Sequence, residues 1–201
     1  MHLFLDFDGV LHPDEAYLIK GRPMLKKAGQ LFMWADLLEG MIADLPTVQI
    51  VLSTSWARQL GYSRAKRYLP LGLRSRVIGA TWHSAMGKYD GLQRPYDVTW
   101  WDAASRYQQI KQYAIRAKLT EWVAIDDQTQ GWGVDDLDKL VQTNSKTGLS
   151  DGHVLALLAA RLGGLGNPRP TSWKSFLQSD VRATDDFLES VEDLPVQERW
   201  D

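Results

Sequence analysis

Three short apolar runs in this chain each stop at side chains that carry oxygen. Leu3-Phe4-Leu5 ends at Asp6-Phe7-Asp8-Gly9, Val48 to Leu52 ends at Ser53-Thr54-Ser55, and Trp122 to Ile125 ends at Asp126-Asp127. Each run has the length and composition of a buried strand. The intervening segments have helical spacing. Phe32 to Ala43 repeats apolar residues every three or four positions until Pro46 blocks it, and Ala57 to Tyr68 stops before Pro70. Ala103 to Lys118 and His153 to Leu162 also read as helices. Val77-Ile78 and Leu140-Val141 read as further short strands, and Gly79 to Trp101 as loop-rich. Strands alternating with helices predict an α/β fold, a three-layer sandwich around a parallel sheet with right-handed crossovers. The carboxyl ends of such strands share one edge, where ligands bind. Asp6, Asp8, Ser53, Thr54, Asp126 and Asp127 are therefore expected to converge.

Composition narrows the chemistry. The 201 residues contain no cysteine, which excludes disulfides, thiolate metal sites and a cysteine nucleophile. The four histidines, His2, His12, His83 and His153, show no metal spacing. The chain carries 23 basic and 25 acidic residues, so net charge gives no argument for a polyanion-binding protein. Apolar stretches are too short for a membrane span and no basic leader precedes the first run, so a soluble, cytoplasmic protein is expected. Residues 1–165 read as one domain. Asn167-Pro168-Arg169-Pro170 reads as a linker to a tail, 166–201. From Asp180 to Asp201 the tail has eight acids and two arginines. It reads as a helix that packs and frays, or as a segment that binds a protein partner.

Four carboxylates at one sheet edge repel one another unless a cation joins them. Oxygen ligands without histidine or cysteine suit Mg²⁺. A carboxylate is ionised at neutral pH and can attack phosphorus without a helper base. Asp6 and Asp8 share one face if the chain stays extended. Gly9 then permits a sharp bend and close approach of backbone N–H groups to phosphate oxygens. Ser53 or Thr54 can donate a hydrogen bond to the same phosphoryl group, and a Lys or Arg can balance its charge. Each motif alone has a blander reading. Asp126-Asp127 and Ser53-Thr54-Ser55 are also what helix caps look like. A calcium loop is excluded, because Gly9 stands fourth from Asp6 rather than sixth.

The succession LFLDFDGVL, IVLSTSW, SRYQQI and WVAIDD resembles the haloacid-dehalogenase (HAD) superfamily of aspartate-nucleophile phosphohydrolases. It is most similar to the HAD domain of Swiss Army knife RNA-repair proteins, over roughly residues 1 to 165. The resemblance implies a Rossmann-like sheet with a small cap or none. It implies that Asp6 is the nucleophile and a metal ligand. Asp8 is then the general acid and base, offering its backbone carbonyl to the metal. Thr54, or its neighbour Ser53, supplies the hydroxyl, and Asp126 and Asp127 complete a Mg²⁺ site. Arg106 is the best match to the basic motif, with Lys111 and Lys88 as rivals. The stretch before the second strand leaves room for a small helical flap around Pro13 to Leu31, not for an independent cap.

One charge feature bears on substrate. Between Asp44 and Asp90 there is no acid, and Arg58, Arg64, Lys66, Arg67, Arg74, Arg76 and Lys88 alternate with Trp56, Tyr62, Tyr68, Trp82 and Tyr89. Basic residues with aromatic platforms suit a single nucleic-acid strand, with Arg64 and Arg67 on its backbone and Trp56 under a terminal base. The same residues also fit a solvated face over core aromatics. The expected activity is a Mg²⁺-dependent phosphatase acting on phosphate monoesters, at nucleic-acid ends such as RNA. The alternatives are a phosphatase of small metabolites or nucleotides, and a weakly catalytic HAD-like binding module.

Overall fold

The computed structural model describes residues 1–14, 16–26, 29–83 and 100–164. In chain order the elements are β1 (His2–Leu5), β2 (Ala16–Ile19), β3 (Arg22–Leu25), α1 (Ala35–Ile42) and β4 (Gln49–Leu52). They continue with α2 (Ser55–Leu60), α3 (Tyr62–Arg67), α4 (Leu71–Arg76), β5 (Val77–Ala80), α5 (Trp100–Ala103) and α6 (Arg106–Arg116). β6 (Trp122–Asp126), β7 (Leu140–Gln142) and α7 (Gly152–Gly164) complete them, with 3₁₀ turns at Val134–Lys139 and Gly148–Ser150. The acidic tail, Lys88 and Tyr89 lie outside the described residues.

Five strands form one parallel sheet in the order β5-β4-β1-β6-β7. The central strand explains why: Leu3, Phe4 and Leu5 are fully buried, as a strand covered on both faces must be. Leu3, Leu5, Ile50, Leu52, Val123 and Ile125 face one core layer, closed by Leu38 and Ile42 of α1, Leu73 of α4 and Leu158 of α7. Phe4, Val51 and Ala124 face the other layer, closed by Ile110 and Ala114 of α6. This is the expected three-layer α/β sandwich.

The chain leaves β1 for β4 and β5 on one side, then returns to place β6 and β7 on the other. Connections therefore diverge at β1, and the crevice at its carboxyl end is the switch point where such sheets bind ligands. Register makes this concrete. Leu5 stands opposite both Leu52 and Ile125, so Asp6, Ser53 and Asp126 follow at the same level. Asp6 N–H donates to the Ile125 carbonyl at 3.2 Å, and Ser53 N–H to the Leu5 carbonyl at 2.8 Å.

Three local expectations are corrected. The segment around Pro13 to Leu31 is not a helical flap: β2 and β3 form an antiparallel hairpin. Its turn residues, Lys20 and Gly21, have φ of 50° and 75°, the pair of positive values that matches strand twist. The helix read from Ala57 to Tyr68 is two helices. They meet at Gly61, whose φ of 83° no helix accommodates. α4 forms after Pro70, where the reading placed a simple stop.

Candidate active site

Asp6 is held at the end of β1 with 3% of its surface exposed, and its Oδ1 accepts a hydrogen bond from Phe7 N–H at 2.8 Å. Phe7 is fully buried in the core, so the two aspartates that flank it project away from that core. Asp6, Asp126 and Asp127 each offer a carboxylate oxygen, all within 4.8 Å of one another. Asp126 Oδ1 is taken by Gln128 N–H at 2.9 Å, whereas its Oδ2 is buried without a hydrogen-bond partner among the described residues. A buried oxygen that faces a guanidinium but accepts no hydrogen bond, in an all-carboxylate set, has a lone pair that a hard divalent cation can take, so these residues fit Mg²⁺.

Gly9 makes room for this cluster. Its φ is +69°, and a Cβ there would stand 2.6 Å from Asp127 Oδ2. Its carbonyl accepts from Thr143 Oγ1 at 2.8 Å, which pins the turn beneath β7. Gly9→Ala should cost about 1–2 kcal/mol from backbone conformation alone. It should also displace Asp127, so the rise in melting temperature produced by Mg²⁺ should shrink in this variant. An unchanged Mg²⁺ shift would show that Asp127 is not a ligand.

The electrostatics follow from burial. Removal from water pushes Asp6 up to about 6, opposed by Arg106 and reinforced by Asp8. Asp126 is raised well above the usual range by burial and by Asp6, again opposed by Arg106. Asp127 is raised chiefly by burial and then by Asp14. Arg106 answers all of them. Its Nε lies 3.2 Å from Asp126 Oδ2 and its Nη2 3.6 Å from Asp6 Oδ2. The Nε contact is an ion pair without hydrogen-bond alignment. Desolvation pulls the guanidinium pKa down, but the four surrounding aspartates outweigh it and raise it.

Arg106 is the first residue of α6, whose start is fixed by a capping box between Ser105 and Gln108. A cation there opposes the helix dipole, so the carboxylates and not the helix account for its position. Lys111, the rival on the same helix, is bound instead to Asp136, together with Lys139 and Tyr107. Lys88 lies outside the described residues.

The two hydroxyls divide. Thr54 is the N-cap of α2, and its Oγ1 accepts from Trp56 N–H at 3.4 Å. Ser53 Oγ is buried at the level of Asp6 with no hydrogen-bond partner among the described residues, whereas Thr54 Oγ1 already accepts one bond and keeps its O–H to donate.

Asp8 is not part of the three-carboxylate group. Trp56 Nε1–H donates to its Oδ2 at 2.8 Å, and its Oδ1 lies 3.1 Å from His12 Nε2. Both partners are buried, His12 completely, in a cluster of rings formed with Phe7, Phe32 and Tyr68. Trp56, read from sequence as a platform for a base, is only 4% exposed. It cannot stack on a ligand in this structure and serves Asp8 instead. The contact spans 48 positions, which no local pattern reveals. His12 was legible only as a group near the first motif.

The basic stretch is largely engaged. Arg64 donates to the Gly21 carbonyl, Lys66 to Val77, Arg74 to Leu69 and Arg67, and Arg76 to Leu45, while Arg58 pairs with Asp102. Arg67 is exposed on α3. Arg64 borders a cavity of about 640 Å³ along β5, lined by Tyr62, Trp82 and Tyr113 and containing none of the carboxylates. A smaller cavity, about 360 Å³, adjoins Arg106. Among the described residues no helix is long and apolar enough to cross a membrane.

Comparison with protein families matches residues 2–154 to the HAD domain in Swiss Army Knife RNA repair proteins. Comparisons with curated proteins and with solved structures give no match. The match covers about three quarters of the chain and includes every carboxylate gathered at the sheet edge, so the chain belongs to this family of HAD domains.

Proposed function

We propose that this chain is a Mg²⁺-dependent phosphatase that hydrolyses phosphate monoesters through a phospho-aspartyl intermediate on Asp6. The observation that supports it most is the separation of four carboxylates into two sets. Asp6, Asp126 and Asp127 converge within reach of one cation, while Asp8 is held apart by Trp56 and His12. An Asp6 oxygen attacks phosphorus and forms a P–O bond as the ester P–O bond breaks. The departing oxygen takes a proton from Asp8. Asp8, now a carboxylate, then removes a proton from water. The water oxygen bonds to phosphorus, and the bond between phosphorus and Asp6 breaks, releasing phosphate. Asp6, Asp126 and Asp127 would hold Mg²⁺ together with the Asp8 carbonyl, and the ion would supply positive charge to the phosphoryl oxygens. The Ser53 hydroxyl is free to donate to the same oxygens, with Thr54 as the alternative. Arg106 keeps the metal ligands charged.

A phosphorylated nucleic-acid end is the substrate we favour, because the matched family is described by RNA repair. Free nucleotides or other small metabolites are the second reading, favoured by the engagement of most of the basic stretch with backbone carbonyls. Rates on an aryl phosphate, a phosphorylated oligonucleotide and a free nucleotide, with Mg²⁺ and with chelator, test both. Turnover in excess chelator would sink the mechanism. Free nucleotides turned over as well as oligonucleotides would establish the second reading.

Asp8's role predicts the effect of Trp56→Phe, which keeps an aromatic ring but removes the N–H. A hydrogen bond to a charged group contributes about 1.5–3 kcal/mol, so kcat should fall about 10- to 100-fold with KM little changed. Because Asp8 also activates water, phospho-enzyme should accumulate on an aryl phosphate with a good leaving group. Rapid-quench labelling reads this directly. Equal losses in both steps, or losses that follow the melting temperature, would reduce Trp56 to a packing residue.

A further inference from the structure

We propose that the cavity beside Arg106 binds the leaving group of the substrate, and that this group is an uncharged nucleoside end. The inference rests on the phosphatase reading and names a binding site for it. The cavity, about 360 Å³, is lined by Ser55, Trp101, Ser105, Arg106, Gln128 and Gln130 among others. It adjoins the reacting carboxylates through two of these residues. Arg106 touches Asp6 and Asp126, and Gln128 N–H donates to Asp126 Oδ1.

The lining specifies the ligand's chemistry. Trp101 is 6% exposed, yet its indole N–H has no acceptor among the described residues. A buried donor left unpaired is costly, so a ligand acceptor such as a base carbonyl, ring nitrogen or sugar hydroxyl belongs there. The Gln128 and Gln130 side chains are exposed at the rim, and each amide both donates and accepts, which matches a base edge. Among the described lining residues Arg106 is the only charged one, and it is committed to the aspartates. Among the described lining residues no cation is left for a second phosphate, and a neutral group fits them. The volume lies within the range of small-ligand pockets.

The walls are fixed in advance. Gln109 is buried and donates to the Trp101 carbonyl at 2.9 Å and the Ala104 carbonyl at 3.2 Å, and it accepts from Arg106 Nη1 at 3.4 Å. One amide thus couples the cavity wall to the catalytic guanidinium. Arg58 and Asp102, which pair at 2.7 Å, join α2 to α5, and each of these helices contributes residues to the lining. A ligand entering such a site need not order it first.

The test compares kcat/KM for a phosphorylated oligonucleotide with that for the same oligonucleotide carrying an abasic sugar at the phosphorylated end. The wild type should prefer the base-bearing end by about tenfold or more. Trp101→Phe and Gln130→Ala should each reduce that preference several-fold. Gln130 is exposed, so its variant does not depend on the fold tolerating a core change. Equal rates on the two ends in the wild type would overturn the proposal. So would a preference that survives in both variants. Phenyl phosphate separates the two claims. If Mg²⁺ supports no hydrolysis of it, the phosphatase reading fails. The cavity is then judged by equilibrium binding of the same two oligonucleotides, where loss of discrimination in the variants still supports it and equal binding rejects it.

Discussion

Asp6→Asn is expected to lower turnover of any phosphate monoester by about 10⁴-fold or more, and also to make the metal-free protein more stable at neutral pH. The first effect follows because Asn keeps the shape and removes the attacking charge. The second follows from burial. The Asp6 carboxyl titrates near 6 in the folded chain against an ordinary 3.8, raised by desolvation despite Arg106. Between about pH 4 and 6 the folded state therefore holds the proton more tightly than the unfolded state. The stability linked to that proton is complete below pH 4 and is lost as pH rises through 6. A two-unit shift, already net of the Arg106 attraction, corresponds to about 3 kcal/mol, so a gain of up to about 3 kcal/mol is expected above pH 6. Below pH 4 the gain should vanish. Melts of both proteins in chelator at pH 4 and pH 7.5 check the sign. A variant less stable at pH 7.5 would show that the Arg106 pair outweighs desolvation. Added Mg²⁺ should narrow or reverse the gap, since only the wild type has the full set of ligands.

Most of the site was legible because strand-end chemistry is local. LFLDFDG, IVLSTS and WVAIDD each place an apolar run directly before its polar groups, and parallel pairing then brings Asp6, Ser53 and Asp126 to one level. Arg106 was reached only through the family resemblance, as the best match to its basic motif in the helix before Trp122–Asp126, with Lys111 and Lys88 as rivals. What stayed hidden depends on contacts between distant segments. Trp56 reaches Asp8 across 48 positions, and in sequence an indole among arginines looks the same whether it is exposed or buried. The arginines themselves read as a positive track, yet most turn back onto carbonyls, which are weak and unlabelled in sequence. The hairpin stayed hidden because Ala16–Ile19 and Arg22–Leu25 are four residues each, too short for alternation to show, and the segment was placed only by the length of the interval between motifs.

Arg106→Met should have the opposite effect on stability from Asp6→Asn, and a larger one. The guanidinium is the cation that faces Asp6 and Asp126, and its side chain is only 9% exposed. Met fills similar space but leaves buried carboxylates uncompensated. Removing one partner of a buried ion pair costs about 3–5 kcal/mol. Since Arg106 restrains the upward shifts of Asp6, Asp126 and Asp127, its loss drives them higher. The metal-free variant should then lose stability more steeply than the wild type as pH rises from 5 to 8. Mg²⁺ should recover much of the deficit, because a divalent cation can neutralise the same oxygens. Turnover should stay low even at saturating Mg²⁺ if the guanidinium also helps hold Asp6 in place. Denaturant unfolding with and without Mg²⁺ measures the first effect, and aryl phosphate kinetics the second. Adding Asp6→Asn to this variant should restore metal-free stability by more than Asp6→Asn adds to the wild type, since no pair remains to be lost. Strict additivity in that cycle would mean that Arg106 and Asp6 do not interact, and the electrostatic account of the site would fall with it.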